Sequence, residues 1–158
     1  MRWRSLSLNL TDAVKGAGLH GAKVGKSGEF EAVTVKSEDI VALMKVLRKE
    51  LEMSALDCMT AVDYGDEFEL VYHVLSYKTK DTIVGKARVP RSAPAIESVS
   101  SVYPAANWFE REVLDLFGVE FTNHPDPVRM LRRDDQDGYP LRKDYVMRRR
   151  TPRIEDAD

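Results

Sequence analysis

The sequence predicts an α+β fold: one mostly antiparallel sheet with helices packed on it, followed by an extended, loop-rich C-terminal arm. Three observations carry that prediction. Apolar residues recur at helical spacing over residues 40–51. Three strand-like runs then follow in succession, separated by short polar turns. After Gly118 periodicity is lost, and Pro125, Pro127, Pro140 and Pro152 punctuate the rest. The organisation expected is therefore a domain over residues 1–118 and an arm over residues 119–158. A chain of 158 residues, 43% hydrophobic and 32% charged, suits one folded domain, able to bury roughly 70% of its unfolded surface.

Each element has its own warrant. Residues 5–20 suit a short helix stopped by Gly16 or Gly18, and the glycine-rich stretch 21–28 reads as a loop. Phe30 to Lys36 alternates as a strand, with Val33 and Val35 on one face. Ser37 is placed to cap a helix, and Glu38 and Asp39 suit its positive end. Ile40, Leu43, Met44, Leu47 and Leu51 form the apolar stripe of that helix. Ala55 to Tyr64 reads as a strand with Leu56, Cys58, Thr60 and Val62 on one face, which puts Cys58 on the more apolar side as a small buried hydrophobe. Phe68 to Tyr77 is a second strand, and Gly65-Asp66 joins the two as an antiparallel hairpin. Thr82 to Val89 is a third, stopped by Pro90; short loops between strands favour a meander over parallel crossovers. Pro94 is read as opening a helical turn through Val102. Asn107 and Glu110 have the spacing of a capping box, and Gly118 fits a helix C-terminus.

Composition narrows the function. A net charge of −2 gives no bulk attraction to nucleic acid or anionic lipid. One cysteine can neither close an internal disulfide nor hold a thiolate-ligated iron–sulfur cluster, which usually takes four, and it points to a reducing compartment. Asn9 and Asp12 cut the N-terminal apolar run short of a signal-peptide core. No stretch approaches the ~18 apolar residues of a spanning helix. The charge is segregated, however. Residues 129–153 carry nine Lys/Arg and four Asp, whereas residues 1–128 are net acidic.

Several motifs offer chemistry and fail on context. Gly16-Ala17-Gly18-Leu19-His20-Gly21 has dinucleotide-loop spacing, but helix-like residues precede it where a strand is required. Gly25-Lys26-Ser27 has His20 where a phosphate loop needs glycine. Asp135, Asp137, Gly138 and Asp144 echo a calcium loop whose first ligand position is Arg133, a cation. His20, His73 and His124 lack zinc-pair spacing, and His73 reads as a half-buried sheet residue. Arg148-Arg149-Arg150 with Arg153 could bind phosphates, but interleaved Asp134, Asp135, Asp137 and Asp144 favour an acidic protein partner over nucleic acid. The carboxylates of Glu110-Arg111-Glu112-Val113-Leu114-Asp115 could serve acid–base work; a charged helix with an Arg111–Asp115 pair is the simpler reading.

Three ordered blocks carry a more specific signal. They are Ala106-Asn107-Trp108-Phe109-Glu110-Arg111-Glu112-Val113-Leu114-Asp115-Leu116-Phe117-Gly118-Val119, then Asn123-His124-Pro125-Asp126 with Arg129-Met130-Leu131, then Gly138-Tyr139-Pro140-Leu141-Arg142-Lys143-Asp144-Tyr145. Together they resemble the thirty-kilodalton subunit family of respiratory complex I, also called the C subunit of NADH:quinone oxidoreductase. Val128, Tyr139 and Val146 depart from the family pattern. The length and the ending Arg153-Ile154-Glu155-Asp156-Ala157 also resemble the related subunit of photosynthetic complexes.

The resemblance implies a non-catalytic subunit of the peripheral arm of a proton-translocating NADH:quinone oxidoreductase. It implies no flavin, cluster or metal in this chain, with NADH, FMN, iron–sulfur clusters and quinone handled by partner subunits. The implied partners are the large quinone-site subunit, of the forty-nine-kilodalton or D type, wrapped by the C-terminal arm, and other peripheral-arm subunits. The implied location is the cytoplasmic side of the cell inner membrane, or the equivalent face of an organelle, held there only through the complex. The residues expected to matter are Glu110, Arg111, Glu112 and Asp115, tying the helix to the arm. With them stand Gly118, His124, Pro125, Arg129, Pro140, Arg142, Lys143 and Asp144 of the family motif. Alternatives from other classes are the equivalent subunit of a membrane-bound hydrogenase or a ferredoxin- or F420-linked complex, and a nucleic-acid-binding domain using the basic arm.

Overall fold

The structure, a computed structural model, describes the backbone of residues 3–133 and 136–146, and side chains from residue 9 onward within those ranges. Ten helices and strands follow one another: α1 (Trp3–Gly16), β1 (Lys23–Ser27), β2 (Phe30–Lys36), α2 (Ile40–Glu50), β3 (Ala55–Asp63), β4 (Glu67–Leu75), β5 (Thr82–Pro90), β6 (Ala95–Glu97), α3 (Ala106–Phe117) and β7 (Glu120–Thr122). Strands β1 to β5 form one sheet in the order β1-β2-β5-β4-β3. It is antiparallel except where β2 runs beside β5. The α+β class with a mostly antiparallel sheet is therefore the architecture found.

The core lies on one face of the sheet. Leu10 and Val14 of α1, the α2 stripe Ile40, Leu43, Met44 and Leu47, and Val113 and Phe117 of α3 all join it. They meet Val33 and Val35 of β2, Phe68, Leu70, Tyr72 and Val74 of β4, and Ile83, Ala87 and Val89 of β5. Gly85 lets α2 approach: a Cβ there would lie 2.7 Å from the Met44 Cε. The opposite face is closed by its own side chains. Ala32, Val71 and Val84 cluster there under Phe30, whose ring meets His73 edge-on. Glu69 on that face takes Lys86 at 3.5 Å and Arg88 Nε at 2.9 Å.

Five expectations change. The pairing is not a pure meander, because β2 lies parallel to β5. Turn lengths reveal only pairings between consecutive strands, whereas this one joins strands separated by α2, β3 and β4. The glycine-rich stretch after Gly21 is not all loop, since Lys23–Ser27 pairs with β2 as an edge strand; tertiary hydrogen bonds override the poor strand propensity. Cys58 is exposed rather than buried. A bulge between Leu56 and Cys58 flips the alternation, so Met59, Ala61 and Asp63 turn inward. Pro94 does not open a helix: Ala95–Glu97 forms β6, parallel to β7. Finally, Asn107 and Glu110 make no capping box, for α3 starts at Ala106 and its first turn has no side-chain cap.

Past Gly118, β7 pairs with β6, and the chain from Asn123 onward runs without helix or strand among the described residues. Asp134, Asp135, Arg148–Arg150, Arg153 and the acidic end lie outside the described residues.

Candidate functional site

Among the described residues from His124 to Val146 there is no helix or strand to satisfy the backbone, so side chains packed against it take part. Two inward carboxylates take most of that load. Asp115, near the end of α3, accepts the backbone N–H groups of Met130 (3.2 Å), Leu131 (2.7 Å) and Arg132 (2.8 Å) on one oxygen. Its other oxygen takes Arg132 Nε at 2.8 Å. The Arg132 guanidinium continues to the carbonyls of Gln136 and Gly138. Burial opposes ionisation of Asp115, but these N–H donors outweigh it and lower the carboxyl to about 2.

Asp63, at the end of β3, is the second. It takes Arg91 through both oxygens at 2.7 Å, the Gly65 N–H at 2.8 Å and the Lys143 N–H, eighty positions away, at 2.9 Å. Burial again raises its pKa, yet Arg91 and the two backbone donors bring it down to about 2. Arg91 then reaches Asp144 at 2.5 Å.

Between the two carboxylates runs a stack of arginines and rings. Arg132 and Arg142 flank Tyr139 at 5.1 and 4.2 Å, and Arg142 and Arg91 flank Phe68 at 5.2 and 5.1 Å. Arg142 also donates to the Phe117 carbonyl at 2.5 Å and the Gly118 carbonyl at 3.4 Å, closing the C-terminus of α3. Gly118 has φ of +69°, and any Cβ there would strike the Tyr139 ring.

Glu110 and His124 make a third junction. Glu110 is wholly buried. It accepts the Val99 N–H at 2.7 Å and the Ser98 hydroxyl at 2.5 Å. His124, its side chain 1% exposed, brings Nε2 to 3.6 Å from the same carboxylate. Burial pushes Glu110 up to about 7 against the pull of Ser98 and Val99.

The anticipated residues thus occupy distinct places. Glu110, Asp115, Gly118, His124, Arg142 and Asp144 lie along the contact between domain and arm. Lys143 contributes there through its backbone. Arg111 does not pair with Asp115: it donates to the Val128 carbonyl at 2.8 Å, meets Asp126 at 3.4 Å and lies over Trp108. Glu112 is half-buried and enters none of these contacts among the described residues. Pro125 is exposed and Pro140 half-buried. Arg129 is exposed and, with Leu114, Pro127, Arg132 and Tyr139, lines an open cleft of about 390 Å³. Sequence reading missed Asp63, Arg91, Ser98 and Arg132. Only Arg132 stood beside a recognised block; the others are joined to the site by the fold alone.

Among the described residues, no three His, Cys, Asp or Glu side chains gather as metal ligands. Asp63 and Asp115 have their oxygens committed to arginines and backbone donors, so this arrangement suits holding a chain in place rather than proton transfer to a substrate. The sequence profile described as "Respiratory-chain NADH dehydrogenase, 30 Kd subunit" matches residues 33–151, which span every one of these contacts.

The chain belongs to this family of respiratory-chain NADH dehydrogenase subunits.

Its similarity to other members is extensive. It is 47% identical over 119 residues to the NADH-quinone oxidoreductase C subunit of Trichlorobacter lovleyi, covering 73% of this chain and 74% of that one. It is also 47% identical over 102 residues to the F(420)H(2) dehydrogenase C subunit of Methanosarcina mazei, covering 63% and 65%. Among solved structures, a chain of an archaeal membrane-bound sulfane sulfur reductase matches with a TM-score of 0.74 at 26% identity, over 93% of this chain and 87% of that one. A trypsin-resistant fragment of Nqo5 matches with a TM-score of 0.63 at 26% identity, over 75% of this chain and 98% of the fragment. As a member of this family the chain is one component of a multi-subunit oxidoreductase complex. No helix among the described residues is long and apolar enough to cross a membrane.

Proposed function

We propose that this chain is a non-catalytic scaffold of the peripheral arm of a proton-translocating NADH:quinone oxidoreductase, and that its C-terminal segment docks on the large quinone-site subunit. One observation carries the reading. The segment is clamped to the domain through its backbone and its arginines, which leaves its apolar side chains pointing outward. Of the nine large hydrophobic residues exposed among the described residues, five are Val128, Met130, Leu131, Leu141 and Val146. Apolar exposure concentrated on one segment marks a protein contact. Burying a leucine there contributes about 2 kcal/mol.

In this reading the chain holds no cofactor. NADH, FMN, the iron–sulfur clusters and quinone belong to partner subunits. The chain meets the membrane only through the complex, on its cytoplasmic side. Similarity to the F(420)H(2) dehydrogenase subunit supports a second reading, the equivalent place in a complex fed by a different electron donor.

The test is purification of the tagged chain from its native membrane in mild detergent, as wild type and as the double variant Val128→Asp, Leu131→Asp. Wild type should bring the quinone-site subunit with it. The double variant should lose at least about tenfold of that partner, equivalent to about 1.4 kcal/mol, while the isolated chain unfolds at an unchanged denaturant concentration. Full retention of the partner by the variant would reject the docking face. Co-purifying flavin- and NADH-binding chains favour the first reading, and their replacement by another input module the second.

A further inference from the structure

The side chains of Glu110 and His124 are buried, close, and on opposite sides of the α3–arm junction. The hydrogen bonds settle where the imidazole proton lies. The Asp126 backbone N–H points at His124 Nδ1 from 3.0 Å. An N–H can only donate, so Nδ1 is bare. His124 Nε2 therefore carries the proton and donates to the Asn107 carbonyl at 3.1 Å. A proton on Nδ1 would break the turn from His124 to Asp126.

Glu110, by contrast, can hold or release a proton without moving. When it is ionised, Ser98 donates to it and Ser98 Oγ accepts from Ser100, 2.7 Å away. When it is protonated on the same oxygen, it donates to Ser98, whose own proton turns to Ser100. Two further titratable groups lie in the interior: Tyr103, whose hydroxyl donates to the Met53 carbonyl at 2.8 Å, and Tyr72, reaching in from β4. Its wholly buried hydroxyl has no partner among the described residues. Burial, and then the charge of Glu110, hold that hydroxyl protonated. Asp126, farther out, is occupied by Arg111.

We propose that the buried Glu110 carboxyl, packed against a His124 whose Nδ1 is taken by the Asp126 N–H, holds a proton on which the grip of α3 on the start of the arm depends, so that this grip varies with pH. With a proton on Glu110 the junction is uncharged, and every bond around His124 is kept. Releasing that proton leaves a carboxylate in a dry site with two donors. His124 cannot take that proton over, because Nε2 already carries one and Nδ1 is occupied by the Asp126 N–H, so the charge stays buried at the junction. Burial raises the Glu110 carboxyl to about 7, which places this loss near neutrality.

The full-length chain, labelled with 13C at glutamate carboxyls, is titrated by NMR, and Glu110 is assigned through its contact with the Val99 amide. Its carboxyl should titrate near about 7, against about 4.3 for a free glutamate. The urea midpoint of wild type should fall as pH rises through that range, and that of Glu110→Gln should stay flat. The His124 imidazole should show the Nε2–H tautomer. Titration of Glu110 near its free value, or a wild-type urea midpoint independent of pH, would overturn the proposal. The NMR measurement needs no variant, so it decides the matter even if Glu110→Gln fails to fold.

Discussion

At Asp115 one carboxylate satisfies three consecutive backbone N–H groups and an arginine from a segment that has no ladder of its own. Asp115→Asn removes the charge and turns an amide toward those donors, leaving the Arg132 guanidinium without its carboxylate. The expected loss is about 3 kcal/mol, read as a lower urea midpoint. Acid should act through the same groups. Asp63 and Asp115 sit at about 2 in the folded chain, below the ordinary value of about 3.9. Their contribution is complete above that ordinary value and is lost as pH falls toward 2. Wild type should lose stability between pH ~5 and ~2. A variant lacking both carboxylates should show a shallower decline, measured as urea midpoints across that range. Glu110 has the opposite sign: its raised pKa makes the folded state hold a proton more tightly than the unfolded chain, so its contribution fades with rising pH.

Two glycines set how elements meet. Gly85 lies under α2, and Gly85→Ala would bring a methyl to 2.7 Å from Cε at the flexible end of Met44. Because that end can give way, the cost should be about 1 kcal/mol, the low end for overpacking, seen as a slightly lower melting temperature, while the arm's contacts stay in place. Gly118 combines a left-handed backbone with the Tyr139 ring above it. Gly118→Ala should cost about 1 kcal/mol through the backbone alone and also lift Tyr139 out of its stack. Faster proteolysis within residues 129–143, with the sheet still protected, would report that release. Among the elements, α2 and the β3–β4 hairpin were legible, because helical periodicity and a tight Gly65-Asp66 turn are local signals. The bulge at Cys58 was not, since an extra residue in a strand leaves no mark in an alternating pattern until the partner strand is in register.

For the whole molecule, one sheet face carries all three helices, and the other is closed by Phe30, Lys86, Arg88 and Glu69. The face of the arm remains open, with Val128, Leu131, Leu141 and Val146 outward. Exposed apolar residues should make the isolated chain prone to self-association, which the Val128→Asp, Leu131→Asp variant should reduce, as checked by sedimentation at increasing concentration. The order of residues along the chain was enough to specify the α+β class, the main helices, the central hairpin and, through three ordered blocks, the family, because each is written in local periodicity or local spacing. Folding in three dimensions was needed to set β2 beside β5, to make Glu110 a buried hydrogen-bond acceptor rather than a cap, and to bring Asp63 to Lys143. Those contacts join residues distant along the chain, and no local pattern encodes which burial and charge will meet once the sheet has closed.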